Sequence, residues 1–99
     1  MTYSVILLPV AEIEAAEAAD WYEERETGLG TDFREAVEAA IAAIQRNPLA
    51  YPIVAGFNVR RAVTERFPYS IIYLVQGDLI LVVAIFHSSR NPMIWRGRL

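Results

Sequence analysis

The spacing of hydrophobic and polar positions along the chain predicts a strand followed by two helices. Residues 3–8 are apolar, β-branched and aromatic up to Pro9, which predicts the strand. Residues 10–26 are rich in alanine and glutamate, and they place at helical spacing Ala11, Ala15, Ala18 and Tyr22. These four residues form one face of the first helix.

A second helix follows a loop with two glycines. Thr31 is its predicted N-cap, and Asp32 and Glu35 complement the positive end of the helix dipole. The buried stripe of this helix consists of Phe33, Val37, Ala40, Ile41 and Ile44. Asn47-Pro48 ends it, and the short loop predicts an antiparallel helical hairpin.

The second half of the chain reads as strands. An irregular connection over residues 48–58 leads to strands over residues 59–66, 69–76 and 79–87. Tight turns separate these strands, and the second turn is a two-residue hairpin loop. A short turn or helix is expected over residues 93–98.

These elements predict an α+β fold with the order strand, helix, helix, strand, strand, strand. The helical hairpin covers one face of a sheet whose last three strands form an antiparallel meander. The last strand is apolar on both faces, with Leu79, Leu81, Val83 and Ile85 on one and Ile80, Val82, Ala84 and Phe86 on the other. The second face must be covered by the C-terminal segment, by a second copy of the chain or by another protein.

Length and composition limit the classes of protein. The 99 residues predict a single domain over residues 1–99. Cysteine is absent and histidine occurs once, which excludes disulfides, thiolate metal sites and histidine-rich zinc sites, so we expect no metal and no cofactor. We find neither a targeting signal nor an apolar run long enough to span a bilayer as a helix, and therefore expect a cytoplasmic protein without a membrane partner.

Charge is distributed unevenly. Residues 1–50 hold ten acidic residues and three arginines, whereas residues 51–99 hold six arginines and two acidic residues. The second half is therefore the candidate for contact with an anionic partner. Every basic residue is arginine, which suits planar recognition of phosphate or carboxylate; codon bias in a GC-rich genome would have the same result.

Several short motifs, each weak by itself, occur in a characteristic order. They are Trp21-Tyr22, Leu29-Gly30 with Phe33, Asn47-Pro48, Arg60-Arg61, Phe67-Pro68-Tyr69 with Tyr73, and His87-x-x-Arg90-x-Pro92-x-x-Trp95-Arg96. In these motifs the chain resembles, over essentially its whole length, the RelE/ParE toxins of type II toxin–antitoxin systems. The resemblance implies a bacterial plasmid-stabilisation protein that arrests growth and is held inactive by an antitoxin wrapped around it.

This family contains ribosome-dependent endoribonucleases and gyrase poisons, which share one fold. RNA cleavage by the 2′-hydroxyl needs a base, an acid and cations, for which the candidates are His87, Glu65, Arg61, Arg66 and Arg90. Glu65 and Arg66 are neighbours on a predicted strand and point to opposite faces, so at most one can join His87. The absence of lysine and an isoelectric point of about 5.0 also disfavour a nuclease that binds the ribosome and mRNA.

A gyrase poison needs a binding surface instead of proton-transfer groups. The candidate target contacts are Arg60, Arg66, Arg90, Trp95, Arg96 and Arg98. We predict a toxin that blocks a target such as DNA gyrase and pairs with a cognate antitoxin, as a homodimer or a toxin–antitoxin hetero-oligomer. The alternatives are an mRNA endoribonuclease and a decayed toxin that only binds its antitoxin.

Some of these candidates also have a structural interpretation. His87 at a strand end is expected to bond a nearby carbonyl. Trp95 is expected to pack on the edge of the sheet, in preference to stacking on a base. Arg60 and Arg61 together would form a solvated strand edge that resists aggregation.

Overall fold

The computed structural model describes residues 2–99 as a helical hairpin packed on a five-stranded sheet. In chain order the elements are β1 (Ser4–Leu7), α1 (Pro9–Arg25), α2 (Leu29–Arg46), a 3-10 turn (Pro48–Ala50), β2 (Ile53–Ala55), β3 (Val59–Val63), β4 (Tyr69–Gln76), β5 (Leu79–His87) and α3 (Met93–Arg96). Among the described residues, no helix combines the length and the apolar character needed to cross a membrane.

The strands lie in the order β1-β5-β4-β3-β2. The meander of β3, β4 and β5 is antiparallel, as predicted. β1 runs parallel to β5, with Ser4 opposite Leu79 and Leu7 opposite Val82. The predicted α+β fold class is confirmed, and β1 and β2 are the two edges of the sheet.

The start of α2 differs from the prediction. The helix begins at Leu29, so Thr31 is not its N-cap. Gly28 caps it with a φ of +91°, and the N–H of Asp32 donates to the Gly28 carbonyl at 3.1 Å. Glycine adopts this left-handed conformation without the strain that a side chain would add, so the helix starts earlier than the threonine signal indicates.

The hairpin closes tightly at Gly30. A Cβ at this position would lie 2.5 Å from the carbonyl oxygen of Ala19 in α1. The Glu23 carboxylate accepts from the N–H groups of Gly28 at 2.9 Å and Gly30 at 3.0 Å. These bonds satisfy backbone donors around the start of α2 that have no partner within the helix.

The strand boundaries between residues 48 and 66 also differ. The connection predicted to be irregular contains the short strand β2, which pairs with β3 through a register shift that hides it from periodicity. β3 ends at Val63 instead of residue 66, because Thr64 Oγ1 donates to the carbonyls of Phe67 and Tyr69 and closes the turn to β4.

The two faces of β5 are not those that strict alternation predicts. Ile72 lies opposite Ala84 and Tyr73 lies opposite Val82, so Val83 is the extra residue of a β-bulge. Val83 and Ala84 both lie on the face away from the hairpin, and Ile85 packs with the hairpin core. The prediction that Ile85 shares a face with Val83 is wrong because the bulge resets the alternation.

The sheet face away from the hairpin is covered by the C-terminal segment, which was one of the three predicted covers. Trp95 on α3 is only 4% exposed and packs against Val59, Ile72, Val83, Ala84 and Phe86. Leu74 and Leu81 are partly buried beside this cluster, and Ile6 on β1 is 54% exposed. α3 therefore covers the centre of this sheet face and leaves its margin exposed.

Candidate functional site

His87 and Arg90 lie at a cleft of about 410 Å³ between α1 and the ends of β4 and β5. Trp21, Tyr22 and Tyr69 form its aromatic walls. The two helix residues come from the last turns of α1, and Tyr69 and His87 are paired across β4 and β5. The structure therefore brings the lone histidine and one arginine together, as the sequence suggested for this end of the chain.

The hydrogen bonds of His87 define its tautomer. Its Nδ1 accepts from the backbone N–H of Ser89 at 3.0 Å and lies 2.7 Å from Ser89 Oγ. A backbone amide can only donate, so the neutral ring carries its proton on Nε2. The ring edge also packs on Tyr69, with centroids 5.2 Å apart. His87 thus accepts a bond from the turn that follows it, and the expected bond to a carbonyl is replaced by this one.

The two tyrosines of the cleft remain neutral phenols at physiological pH. Burial raises the pKa of Tyr22 above its ordinary value. Burial is also the main cause that raises the pKa of Tyr69, and the nearby Tyr22 and Glu14 raise it further while Arg90 lowers it. Both hydroxyls are therefore hydrogen-bond donors and not bases.

Glu14 is the central charged residue beneath the cleft. Its carboxylate accepts two bonds of 2.9 Å from the Arg98 guanidinium, and its Oε1 also accepts from the N–H of Ile85 at 3.2 Å. Arg98 donates in addition to the Val83 carbonyl at 2.9 Å. The pairing of β1 with β5 stops at Val82, so these two side chains bond β5 where the neighbouring strand has ended.

Sequence analysis missed Glu14. A signal was present, because Glu14 lies three residues after Ala11 and four before Ala18, and it therefore falls on the face of α1 that packs on the sheet. A carboxylate on such a face needs a charged partner. The partner, Arg98, lies 84 residues away and could not be identified from spacing.

The six candidate target contacts fall into two groups. Trp95 is 4% exposed, the Arg98 side chain is 16% exposed, and Arg60 donates to the carbonyls of Leu49 at 3.1 Å and Tyr51 at 2.7 Å. These three residues therefore stabilise the fold. For Trp95 this agrees with the prediction that it packs on the sheet. The exposed group consists of Arg66, Arg90 and Arg96.

Each exposed arginine retains some free donors. Arg90 lies over the Phe86 ring at 4.6 Å, and its Nη1 is 3.5 Å from Glu14, a long contact to a carboxylate that Arg98 already engages on both oxygens. Arg96 Nη2 donates to the Val54 carbonyl at 3.3 Å. Arg66, at a φ of +73°, pairs with Asp32 at 3.2 Å. Contacts this long and this exposed are weak and can be exchanged for a partner.

The five candidate nuclease residues are not assembled in one place. His87 and Arg90 line the cleft beside α1, whereas Glu65 lines a separate cleft between α2 and β3 together with Arg66. Arg61 alternates with Ala62, which packs with the hairpin core, and is exposed on the opposite sheet face. Among residues 2–99 no group of histidine and carboxylate side chains is arranged to hold a metal ion. The cleft beside α1 therefore holds His87 and Arg90 without Glu65, the predicted base.

The structure is thus a small α+β protein with three exposed arginines, Arg66, Arg90 and Arg96. Residues 5–92 match the model of the family described as the ParE toxin of the type II toxin–antitoxin system parDE. The chain belongs to this family, and the resemblance found in the sequence is confirmed.

A solved structure has the same fold. It is described as the chromosomal ParDE TA system from P. aeruginosa, and the match has a TM-score of 0.73 at 20% identity, covering 87% of this chain and 96% of that one. At this identity the likeness shows the fold alone. No curated protein sequence matches the chain.

Proposed function

We propose that this toxin arrests bacterial growth by binding DNA gyrase in the cytoplasm, and that a cognate antitoxin neutralises it. The observation that supports a binding mechanism most strongly is the separation of His87 from Glu65 into two clefts. RNA cleavage requires the base within hydrogen-bond reach of the 2′-hydroxyl and the acid within reach of the leaving 5′-oxygen of the same phosphodiester. Membership of the ParE family supports the same choice.

The proposed contact surface consists of the three exposed arginines and not of the full predicted set. The Arg90 guanidinium lies over the Phe86 ring at 4.6 Å, and the Arg96 guanidinium lies over the buried Trp95 ring at 5.5 Å. A guanidinium fixed over an aromatic ring has lost part of its side-chain freedom before binding, which lowers the entropic cost of a contact. Arginine is enriched among the residues that dominate binding energy in interfaces.

Inhibition of supercoiling by purified gyrase tests the proposal. We expect the wild-type chain to inhibit supercoiling, and Arg90→Ala and Arg96→Ala each to weaken inhibition about tenfold. Arg34→Ala, on the exposed face of α2, is the matched control and should inhibit like wild type. If the wild-type chain leaves supercoiling unaffected, gyrase is not the target.

Primer extension on cellular mRNA after induction tests the ribonuclease alternative. Discrete cuts that depend on the ribosome and disappear in His87→Ala would establish cleavage and overturn the binding mechanism. A chain that neither cuts mRNA nor arrests growth, yet still binds its antitoxin, would be a decayed toxin.

A further inference from the structure

Residues 47–58 form a continuous stretch without any charged side chain, in a protein with 21% charged residues. The stretch contains the 3-10 turn, β2 and the hairpin turn to β3. Three of its large apolar side chains are exposed: Leu49 at 58%, Ile53 at 48% and Phe57 at 95%. We call this stretch the neutral edge.

Phe57 is the most exposed large apolar residue described. It follows Gly56, whose φ of +55° makes the turn, and it therefore lies at the tip of the β2–β3 hairpin. β2 is the last strand of the sheet on this side, so its outer backbone groups face no further strand. Edge strands of soluble proteins usually carry a charge or a proline that prevents pairing with other chains, and β2 itself, Ile53–Ala55, has neither.

Hydrogen bonds to its backbone carbonyls hold the neutral edge in place. Tyr73 Oη donates to the Pro48 carbonyl at 2.6 Å, Arg60 donates to the carbonyls of Leu49 and Tyr51, and Arg96 donates to the carbonyl of Val54. The bonds from Tyr73 and Arg60 fix this backbone, while the side chains of Leu49, Ile53 and Phe57 stay exposed. The surface is therefore preorganised, which reduces the entropy lost when a partner binds.

The charges around the neutral edge indicate what kind of partner fits it. Arg46 precedes the stretch, Arg60 and Arg61 follow it, and Arg96 contacts its middle. In a symmetric pairing of this edge with a second copy of the chain, both sides of the interface would carry the same positive charges, which is unfavourable. An apolar segment with acidic residues beside it is complementary both to the apolar surface and to the positive charges around it.

We propose that the neutral edge is the docking surface for an extended, uncharged segment of the antitoxin that is flanked by acidic residues. The segment pairs with the outer edge of β2 and covers Phe57 and Ile53, in the manner of strand addition to an exposed sheet edge. This inference rests on the proposed neutralisation by an antitoxin and adds the surface and the chemistry of the segment. It places the antitoxin at the end of the sheet opposite Arg90.

The test measures the affinity of the purified chain for the protein encoded by the adjacent open reading frame. We expect Phe57→Ser to weaken binding about thirtyfold or more, and Ile53→Asp to weaken it further, because the added carboxylate would face an acidic partner. Val63→Ser is the matched control, since Val63 is a 61% exposed apolar residue at the other end of β3. It should bind within about twofold of wild type.

A second measurement separates antitoxin binding from target binding. Phe57→Ser should inhibit gyrase like wild type and should still arrest growth when the antitoxin is co-expressed. If it loses gyrase inhibition but keeps antitoxin affinity, the neutral edge contacts the target and the inference is wrong.

The remaining outcomes are distinct. If the wild-type chain binds the adjacent protein and the Phe57 and Ile53 variants bind equally well, the inference fails while the proposed function stands. If the wild-type chain does not bind that protein, the proposed neutralisation fails, and the inference falls with it. A dimer of the free chain in light scattering that is abolished by Phe57→Ser would identify a second copy as the occupant and overturn the proposal.

Discussion

The two ends of the sheet use charge in opposite ways. At the end with His87 and Arg90, charged side chains bond to one another through Glu14, and the arginines left over are exposed at the surface. At the neutral edge, arginines bond to backbone carbonyls, and the exposed surface is apolar. The groups available for recognition are therefore those that are not already bonded within the fold.

Removal of Trp95 should have the largest effect on stability. Trp95→Ala would leave a cavity in the core between α3 and the sheet, and should lower the free energy of unfolding by about 3–5 kcal/mol. Urea unfolding measures this, with Trp95→Phe as a milder variant that keeps the fold. Ile94→Ala, at a position 44% exposed, is the control. A loss below about 1 kcal/mol for Trp95→Ala would mean that α3 does not cover the second face.

Substitution of Arg98 tests whether the charged side chains near His87 and Arg90 stabilise the fold by bonding to one another. Arg98→Met leaves the Glu14 carboxylate, whose side chain is 10% exposed, without its bidentate partner, and should cost about 3 kcal/mol of unfolding free energy. Arg96→Met removes one long bond and should cost about 0.5 kcal/mol or less. Combining Arg98→Met with Glu14→Gln should recover part of the loss. Equal losses of unfolding free energy for the two variants would contradict the distinction between arginines that stabilise the fold and arginines that stay free at the surface.

Tyr73 tests the support of the neutral edge. Tyr73→Phe removes the hydroxyl that donates to Pro48 and should cost about 1 kcal/mol near pH 8.

The same variant has a defined pH dependence. Burial raises the pKa of Tyr73 to about 12 in the folded protein, against 10.0 for an ordinary tyrosine. The folded state therefore holds this proton more tightly, so the contribution of Tyr73 is fully present below pH 10 and is lost as the pH rises towards 12. The gap in unfolding free energy between wild type and Tyr73→Phe should narrow between pH 10 and 12. Lysine is absent, so no lysine titration overlaps with this measurement. A gap that stays constant would mean that Tyr73 titrates normally.

Phe57→Ser should have the smallest effect on stability. A side chain that is 95% exposed gives up little on truncation, so the free energy of unfolding should change by less than about 0.5 kcal/mol. The expected contrast with its large effect on antitoxin affinity sharpens the difference between the two ends. A loss above about 1 kcal/mol would show that Phe57 packs within the chain and is unsuited to docking.

Local patterns were sufficient for the elements with regular periodicity. The strands over residues 69–76 and 79–87 were predicted with their observed bounds, and the buried stripe from Phe33 to Ile44 lies on the core side of α2. β2 was missed because three paired residues are too few for a period to be recognised. The faces of β5 were assigned incorrectly after Val83 because a bulge depends on the partner strand.

The candidate site, too, could be predicted only in part from the sequence. Sequence alone determined the α+β class, the family and the end of the chain where His87 and Arg90 meet, because order and spacing of local motifs carry that information. Only the tertiary structure decided that Arg98 bonds Glu14, that Arg60 bonds carbonyls and that Phe57 remains exposed. Whether an arginine stabilises the fold or stays free at the surface depends on acceptors that are distant in sequence. Only folding brings these acceptors within hydrogen-bond distance.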